Sequence, residues 1–108
     1  MRRIEALKYR TEDKQDIIII VDFVDNYGEF VWRIADIKYK TSRQREYRYY
    51  STSFRDDYSY RKLDINERKE YIMKKYEEFV GRDKMNEAVM AAWEMIKPNL
   101  NTLSVGSI

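Results

Sequence analysis

The sequence contains no cysteine and no histidine. The first absence excludes a disulfide scaffold, cysteine-ligated zinc or iron–sulfur sites and thiol catalysis. The second removes Ser-His-Asp triads, imidazole general bases and most transition-metal sites. Glycine occurs three times and proline once, so a phosphate-cradling loop is not expected. No GxGxxG, P-loop, GxSxG or HExxH pattern is present. The longest apolar run, Ile17 to Val21, is far too short for a membrane span. Met1-Arg2-Arg3 leads into charged residues, not into the apolar core of a leader. The chain is therefore expected to be cytoplasmic, with no membrane association. Carboxylates, Lys, Tyr and Ser are what remains for chemistry, and the expectation is a non-enzymatic protein with no cofactor and no bound metal.

What is present describes a folded domain. The 108 residues suffice for one domain. Hydrophobic residues make up 44% and charged residues 37%, too apolar for a disordered chain. The 21 Lys and Arg nearly balance 19 Asp and Glu, for a net charge of +2. The distribution is less even. Between Arg33 and Lys62, nine basic residues face four acidic ones.

Residues up to about 54 alternate and favour β-branched and aromatic types, which predicts strands. They are placed at Arg2–Arg10, Asp16–Val24, Glu29–Tyr39 and Gln44–Phe54. Asp25-Asn26-Tyr27-Gly28 reads as a three-residue hairpin loop with a bulge at Gly28. Thr41-Ser42 reads as the next turn. No connection is long enough for a parallel crossover, so the strands form an antiparallel meander. Arg55–Lys62 is read as a polar connection. Its paired Asp56 and Asp57 lack the spacing of a calcium loop. A first helix begins at the capping box Asp64/Glu67 and ends at Gly81. A second starts after Asp83 and is stopped by Pro98. The expected fold is α+β: a four-stranded antiparallel meander followed by two C-terminal helices packed on one face. Residues 1–98 form the domain, and 99–108 a flexible tail.

With a three-residue loop, Asp25 lies opposite Glu29. The face of Ile18, Ile20, Trp32, Ile34 and Tyr49 then lies under the helices. The other face carries Ile17, Ile19, Val21 and Phe23, a patch too apolar for water. Either the first strand and the tail cover it, or a second copy does, which makes a homodimer an expectation. A slip of one residue exchanges the two faces.

Two stretches suggest function. From Lys38 to Tyr50, basic and aromatic residues interleave on a predicted hairpin. Arg and Lys neutralise phosphates, and Tyr rings stack on unpaired bases. The candidate nucleic-acid-binding residues are Arg33, Lys38, Tyr39, Lys40, Arg43, Arg45, Arg48 and Tyr50. The same residue types are also ordinary on a half-solvated sheet. Asp36-Ile37-Lys38 has the acid-x-Lys form of one half of a metal-nuclease motif. Its second half is missing: Asp22 is expected opposite Trp32, four residues and about 13 Å along the strand from Asp36, and Asp16 is expected to pair with Lys38. Met73, Met85, Met90, Met95 and Trp93 read as core filling of the helices, with Met90 off the stripe.

The functional expectation is a small nucleic-acid-binding accessory or regulatory protein. The alternative is a protein-binding inhibitor or regulator that docks on a larger partner. Charge-rich single domains without a catalytic inventory are common among phage-encoded regulators and counter-defence proteins, and that analogy alone supports the alternative.

Overall fold

The structure is a computed structural model that describes residues 2–106, with side chains for 3–24, 27–29 and 31–98. Four strands form one antiparallel sheet in sequential order: β1 (Arg2–Arg10), β2 (Gln15–Asn26), β3 (Glu29–Thr41) and β4 (Arg48–Tyr49). A 3-10 turn at Tyr50–Ser53 and a short helix α1 (Tyr58–Arg61) lead to α2 (Ile65–Val80) and α3 (Arg82–Gly106). The α+β meander with C-terminal helices is as expected. No helix among the described residues is long and apolar enough to cross a membrane.

The helices cover the face opposite to the one expected. Ile17, Ile19, Val21 and Phe23 are buried with Ile34 and Ile37 beneath Tyr76 of α2 and Met85, Ala88, Ala92 and Ile96 of α3. Ala88 and Ala92, one turn apart and fully buried, give α3 a flat contact. Trp32, expected under the helices, lies opposite Phe23 but stays 44% exposed, and Tyr49 stands on the open face. The apolar patch that suggested a dimer is thus covered by the chain's own helices.

Three local features reset the register. The β2–β3 connection is a two-residue turn, Tyr27-Gly28, with φ of 53° and 90°, and not a three-residue loop. Both values are positive, as a type I′ turn requires, and that turn matches the strand twist. Asn26 then pairs with Glu29. The second feature is a bulge on β3: Ile20 pairs with Asp36 and Val21 with Ile34, leaving Ala35 unpaired. The third is a bulge on β1, where Glu5 pairs with Ile20 and Leu7 with Ile19, leaving Ala6 unpaired. Each bulge inverts the inward–outward alternation beyond it. Small side chains occupy both bulges, on either side of Ile20.

The fourth strand is shorter than expected, two residues in place of Gln44–Phe54. Ser51 leaves the ladder to bind Asp36, and Tyr50 stacks on Phe79 with centroids 4.2 Å apart. The connection read as polar and tyrosine-bearing contains the short helix α1, whose Tyr60 packs against Phe54 and Tyr71.

The capping box is present: Asp64 accepts from the Glu67 N–H at 2.8 Å, and Glu67 accepts from the Asp64 N–H at 3.2 Å. Gly81 ends α2 at φ 87°, ψ 152°, a region open to glycine and closed to side chains. Its φ is positive, as a left-handed residue at a helix end requires, but its ψ lies outside the left-handed helical region. The chain therefore re-enters a helix at once, at Arg82 ahead of Asp83, and Met85 N–H bonds back to the Gly81 carbonyl. Pro98 lies inside α3 and does not stop it. Of the tail 99–108, the backbone is helical to Gly106, and 107–108 lie outside the described residues.

The molecule is elongated, 48 × 35 × 24 Å with a radius of gyration of 15.8 Å, against about 13 Å for a compact chain of this length. Part of the length is a two-stranded arm. β1 reaches β2 only as far as the Arg2–Phe23 pair, so residues 24–31 of the hairpin extend past it.

Candidate functional site

The face of the sheet away from the helices has no covering element among the described residues. Its composition follows from the bulges. On β1, Arg3, Glu5, Lys8 and Arg10 share this face; on β2, Asp16, Ile18, Ile20 and Asp22; on β3, Val31, Arg33, Lys38 and Lys40. Ile18 and Ile20 are 5% and 4% exposed although no helix covers them. Ile18 lies between Lys8 and Lys38 in register, and lysine stems shield apolar surface while their ammonium groups reach water.

The charges are arranged in rungs across three strands. Asp22, fully buried, receives Arg3 Nε at 3.1 Å and Arg33 Nη2 at 3.3 Å. A buried carboxylate needs such partners, and two guanidinium groups anchored on one acid leave a positive rung. The Asp22 hydrogen bond raises the Arg3 pKa further, so it is charged at any working pH. Asp16 receives Arg10 Nε at 2.8 Å and Lys40 Nζ at 3.5 Å. The Arg10 hydrogen bond, aided by the charge of Lys40, holds the Asp16 carboxyl below its usual range. Lys38 Nζ meets Glu5 Oε2 at 3.1 Å, and that hydrogen bond raises the Lys38 pKa. From the Asp22 rung to the Asp16 rung, six cations stand against Glu5, Asp16, Asp22 and Asp36.

Two tyrosines border this face. Lys38 Nζ lies 5.5 Å from the Tyr49 ring centroid, and Lys40 Nζ lies 5.4 Å from that of Tyr47. Both rings are exposed, 44% and 37%. The adjoining turn carries exposed Arg43 and Arg45. Gln44 fixes that turn, its Oε1 accepting from the Thr41 N–H at 3.0 Å and its carbonyl from Lys40 Nζ at 3.4 Å.

Of the residues singled out by sequence, Arg33, Lys38 and Lys40 share the open face, with Arg43 and Arg45 beside it. Tyr39 and Tyr50 do not join them. Both turn toward the helices, where Tyr39 meets Phe79 edge-on at 5.5 Å and Tyr50 stacks on it. Arg48 pairs with Tyr39 and so belongs to the helix side of the edge. Sequence reasoning missed Arg3, Lys8 and Arg10, which complete the rungs, and placed Tyr49 under the helices. The charges of Arg3-Ile4-Glu5-Ala6-Leu7-Lys8-Tyr9-Arg10 fall at alternate positions that change phase across Ala6-Leu7, and that phase change marks the bulge.

Asp36 serves the fold. It accepts from the backbone N–H groups of Ile37 at 2.8 Å and Ser51 at 3.2 Å, from the Ser51 hydroxyl, and from Tyr76 Oη at 3.4 Å. Asp16 pairs with Arg10 and Lys40, not with Lys38 as expected. Among the described residues, no three acidic side chains come together to hold a metal ion. Two depressions, at Leu63–Arg68 and along α2 from Glu70 to Glu78, are open to solvent. The helical methionines divide: Met85 is buried, whereas Met90 and Met95 are exposed, and Trp93 reaches Phe23 at 6.1 Å while 39% exposed. Comparison with protein-family models, with curated proteins and with solved structures finds no match to this chain.

Proposed function

We propose that the protein binds nucleic acid through the open face of its sheet, without catalysing a reaction. The observation that carries this reading is the set of Arg and Lys rungs bordered by exposed Tyr47 and Tyr49. The cations supply phosphate contacts, and the rings supply stacking surfaces for unpaired bases. Single strands suit this face better than duplex. A duplex groove needs a protruding helix or ribbon, and the protruding arm carries Asp25 and Glu29 near its tip.

The excess of positive charge is small. Neutralising about four phosphates gives a salt slope near −3 for a single strand, so affinity falls roughly 50-fold between about 50 and 200 mM salt. Fluorescence anisotropy with labelled single-stranded DNA, duplex DNA and RNA at those two concentrations tests the reading. A preference for single strands with that slope supports it. Equal and negligible binding to all three at the lower salt rejects it.

A second reading is a protein-binding module. Met90, 70% exposed, and Trp93, three residues on, favour it, because methionine and tryptophan are enriched at interaction surfaces. In that case substitution of Met90 and Trp93 abolishes capture of a partner, and substitution of the basic face does not.

A further inference from the structure

The outer edge of β3 is long and largely uncovered. β4 pairs with β3 only at Lys38 and Tyr39, and Ser51 closes the edge at Asp36. From the turn to Ala35, no strand among the described residues lies along this outer edge of β3. An exposed edge of this kind is a template for another strand. Two devices that often blunt one, proline and lysine, are absent from residues 29–35, and Val31 and Trp32 are exposed on opposite faces.

We infer that this edge pairs with the same edge of a second copy, antiparallel, about a two-fold axis at Val31. Two independent observations choose that centre. The first is the space available. The open stretch runs from Tyr27 in the turn to Ala35, next to the Asp36–Ser51 closure, and its midpoint is Val31. With the axis there, the partner's turn reaches Ala35 and stops short of Ser51.

The second is the sequence. Glu29-Phe30-Val31-Trp32-Arg33 is complementary to itself when reversed. Glu29 falls opposite the second copy's Arg33, Phe30 opposite its Trp32, and Val31 opposite its Val31. Shifting the axis by two residues, to Arg33, sets arginine against arginine across the two-fold, which is destabilising.

The backbone agrees with this register. The pair closing a two-residue hairpin, Asn26 and Glu29, is hydrogen-bonded, so Glu29, Val31 and Arg33 turn their N–H and C=O groups toward β2. Phe30, Trp32 and Ile34 turn theirs to the open edge. In the proposed pairing Phe30 and the second copy's Trp32 exchange both hydrogen bonds. The contact is isologous and closed, giving a dimer and not a fibre. Directly paired residues share a face, so the two open faces continue into one eight-stranded surface. The pairing covers few residues, so the dimer is expected to be weak and concentration-dependent.

Sedimentation equilibrium of the full chain tests this. The expected mass rises with concentration from 13.3 kDa toward twice that value. Val31→Lys places like charges on the axis, and Trp32→Pro removes an outward N–H without touching the β2 ladder. Each should weaken association at least tenfold while circular dichroism stays native. Glu29→Lys and Arg33→Glu should each be monomeric alone and associate when mixed, because only the mixed pair restores both charge matches. A wild-type mass of 13.3 kDa at every concentration overturns the proposal. So does a dimer that survives Val31→Lys in a folded chain. If Arg33→Glu fails to fold, Val31→Lys and Trp32→Pro still decide.

Discussion

Ser51 holds Asp36 twice: its hydroxyl donates to Oδ2 and its backbone N–H donates to Oδ1 at 3.2 Å. This contact ends the fourth strand after two residues and closes the edge of β3 just past the Ala35 bulge. Tyr76 reaches the same carboxylate from α2. One side chain therefore ties the sheet, the 3-10 turn and the helical layer together.

Replacing Asp36 with Ala leaves two backbone N–H groups and the Ser51 hydroxyl without their acceptor in a buried place, while Tyr76 Oη keeps the Ala35 carbonyl at 3.3 Å. The expected cost is about 3 kcal/mol, read as a lower urea midpoint with an unchanged slope. Ser51→Ala removes one hydroxyl donor and should cost about 1 kcal/mol. Similar values for the two variants would show that the backbone bonds to Asp36 contribute little.

Tyr76 gives the fold a limit at high pH. Burial, reinforced by the charge of Asp36 and the hydrogen bond to it, raises its phenol well above the ordinary value of 10.0. A raised folded-state pKa means that the folded chain keeps its proton where the unfolded chain loses it. Stability is then complete below pH 10.0 and declines as pH rises toward the folded value. The limiting slope for one proton is about 1.4 kcal/mol per pH unit. Tyr76→Phe should be less stable at neutral pH and show a shallower loss above pH 10.0. Tyr9 and Tyr50, whose pKa values burial also raises, keep the variant from becoming flat. Denaturation midpoints measured from neutral to alkaline pH check this.

Much of the scaffold is legible in the residue pattern alone. The first strand is where alternation puts it, and Asp64 and Glu67 cap α2 as their spacing requires. The antiparallel order follows from short connections. The faces are not legible, because three one-residue features each invert them: the Tyr27-Gly28 turn and the bulges at Ala6 and Ala35. An apolar run such as Ile17 to Val21 cannot reveal the inversion, since both of its faces end up buried. Only neighbours with mixed character can, as the phase change in β1 does. Tyr39 and Tyr50 defy the residue pattern for a related reason. Their hydroxyls suit a wet surface, but their rings build an aromatic cluster with Phe79 and Phe54, and the cluster decides.

Asp22→Asn separates binding from mere decoration of the open face. The substitution keeps the shape and adds one net positive charge between Arg3 and Arg33. Stability should fall by about 1 kcal/mol as charge-assisted bonds are lost. If the rungs contact phosphates, affinity for a single strand should rise and the salt slope should steepen by about 0.7. An unchanged slope in a folded variant removes this rung from the interface. The comparison needs anisotropy titrations at several salt concentrations.

Tyr47 and Tyr49 should act differently from the cations, because stacking involves no counterion release. Replacing either with Ala is expected to lower single-strand affinity by about 1–3 kcal/mol per stacked base while leaving the salt slope alone. Arg10→Ala and Lys40→Ala should do the reverse, each reducing the slope by about 0.7. Tyr39→Phe and Tyr50→Phe serve as controls, since those rings pack on Phe79; both should leave affinity and slope unchanged. The pattern is specific to this face. A loose electrostatic association would respond to the cations and ignore the rings. Loss of affinity at Tyr47 and Tyr49, together with a reduced slope at Arg10 and Lys40, would set the bases at the β4 edge and the phosphates along the rungs.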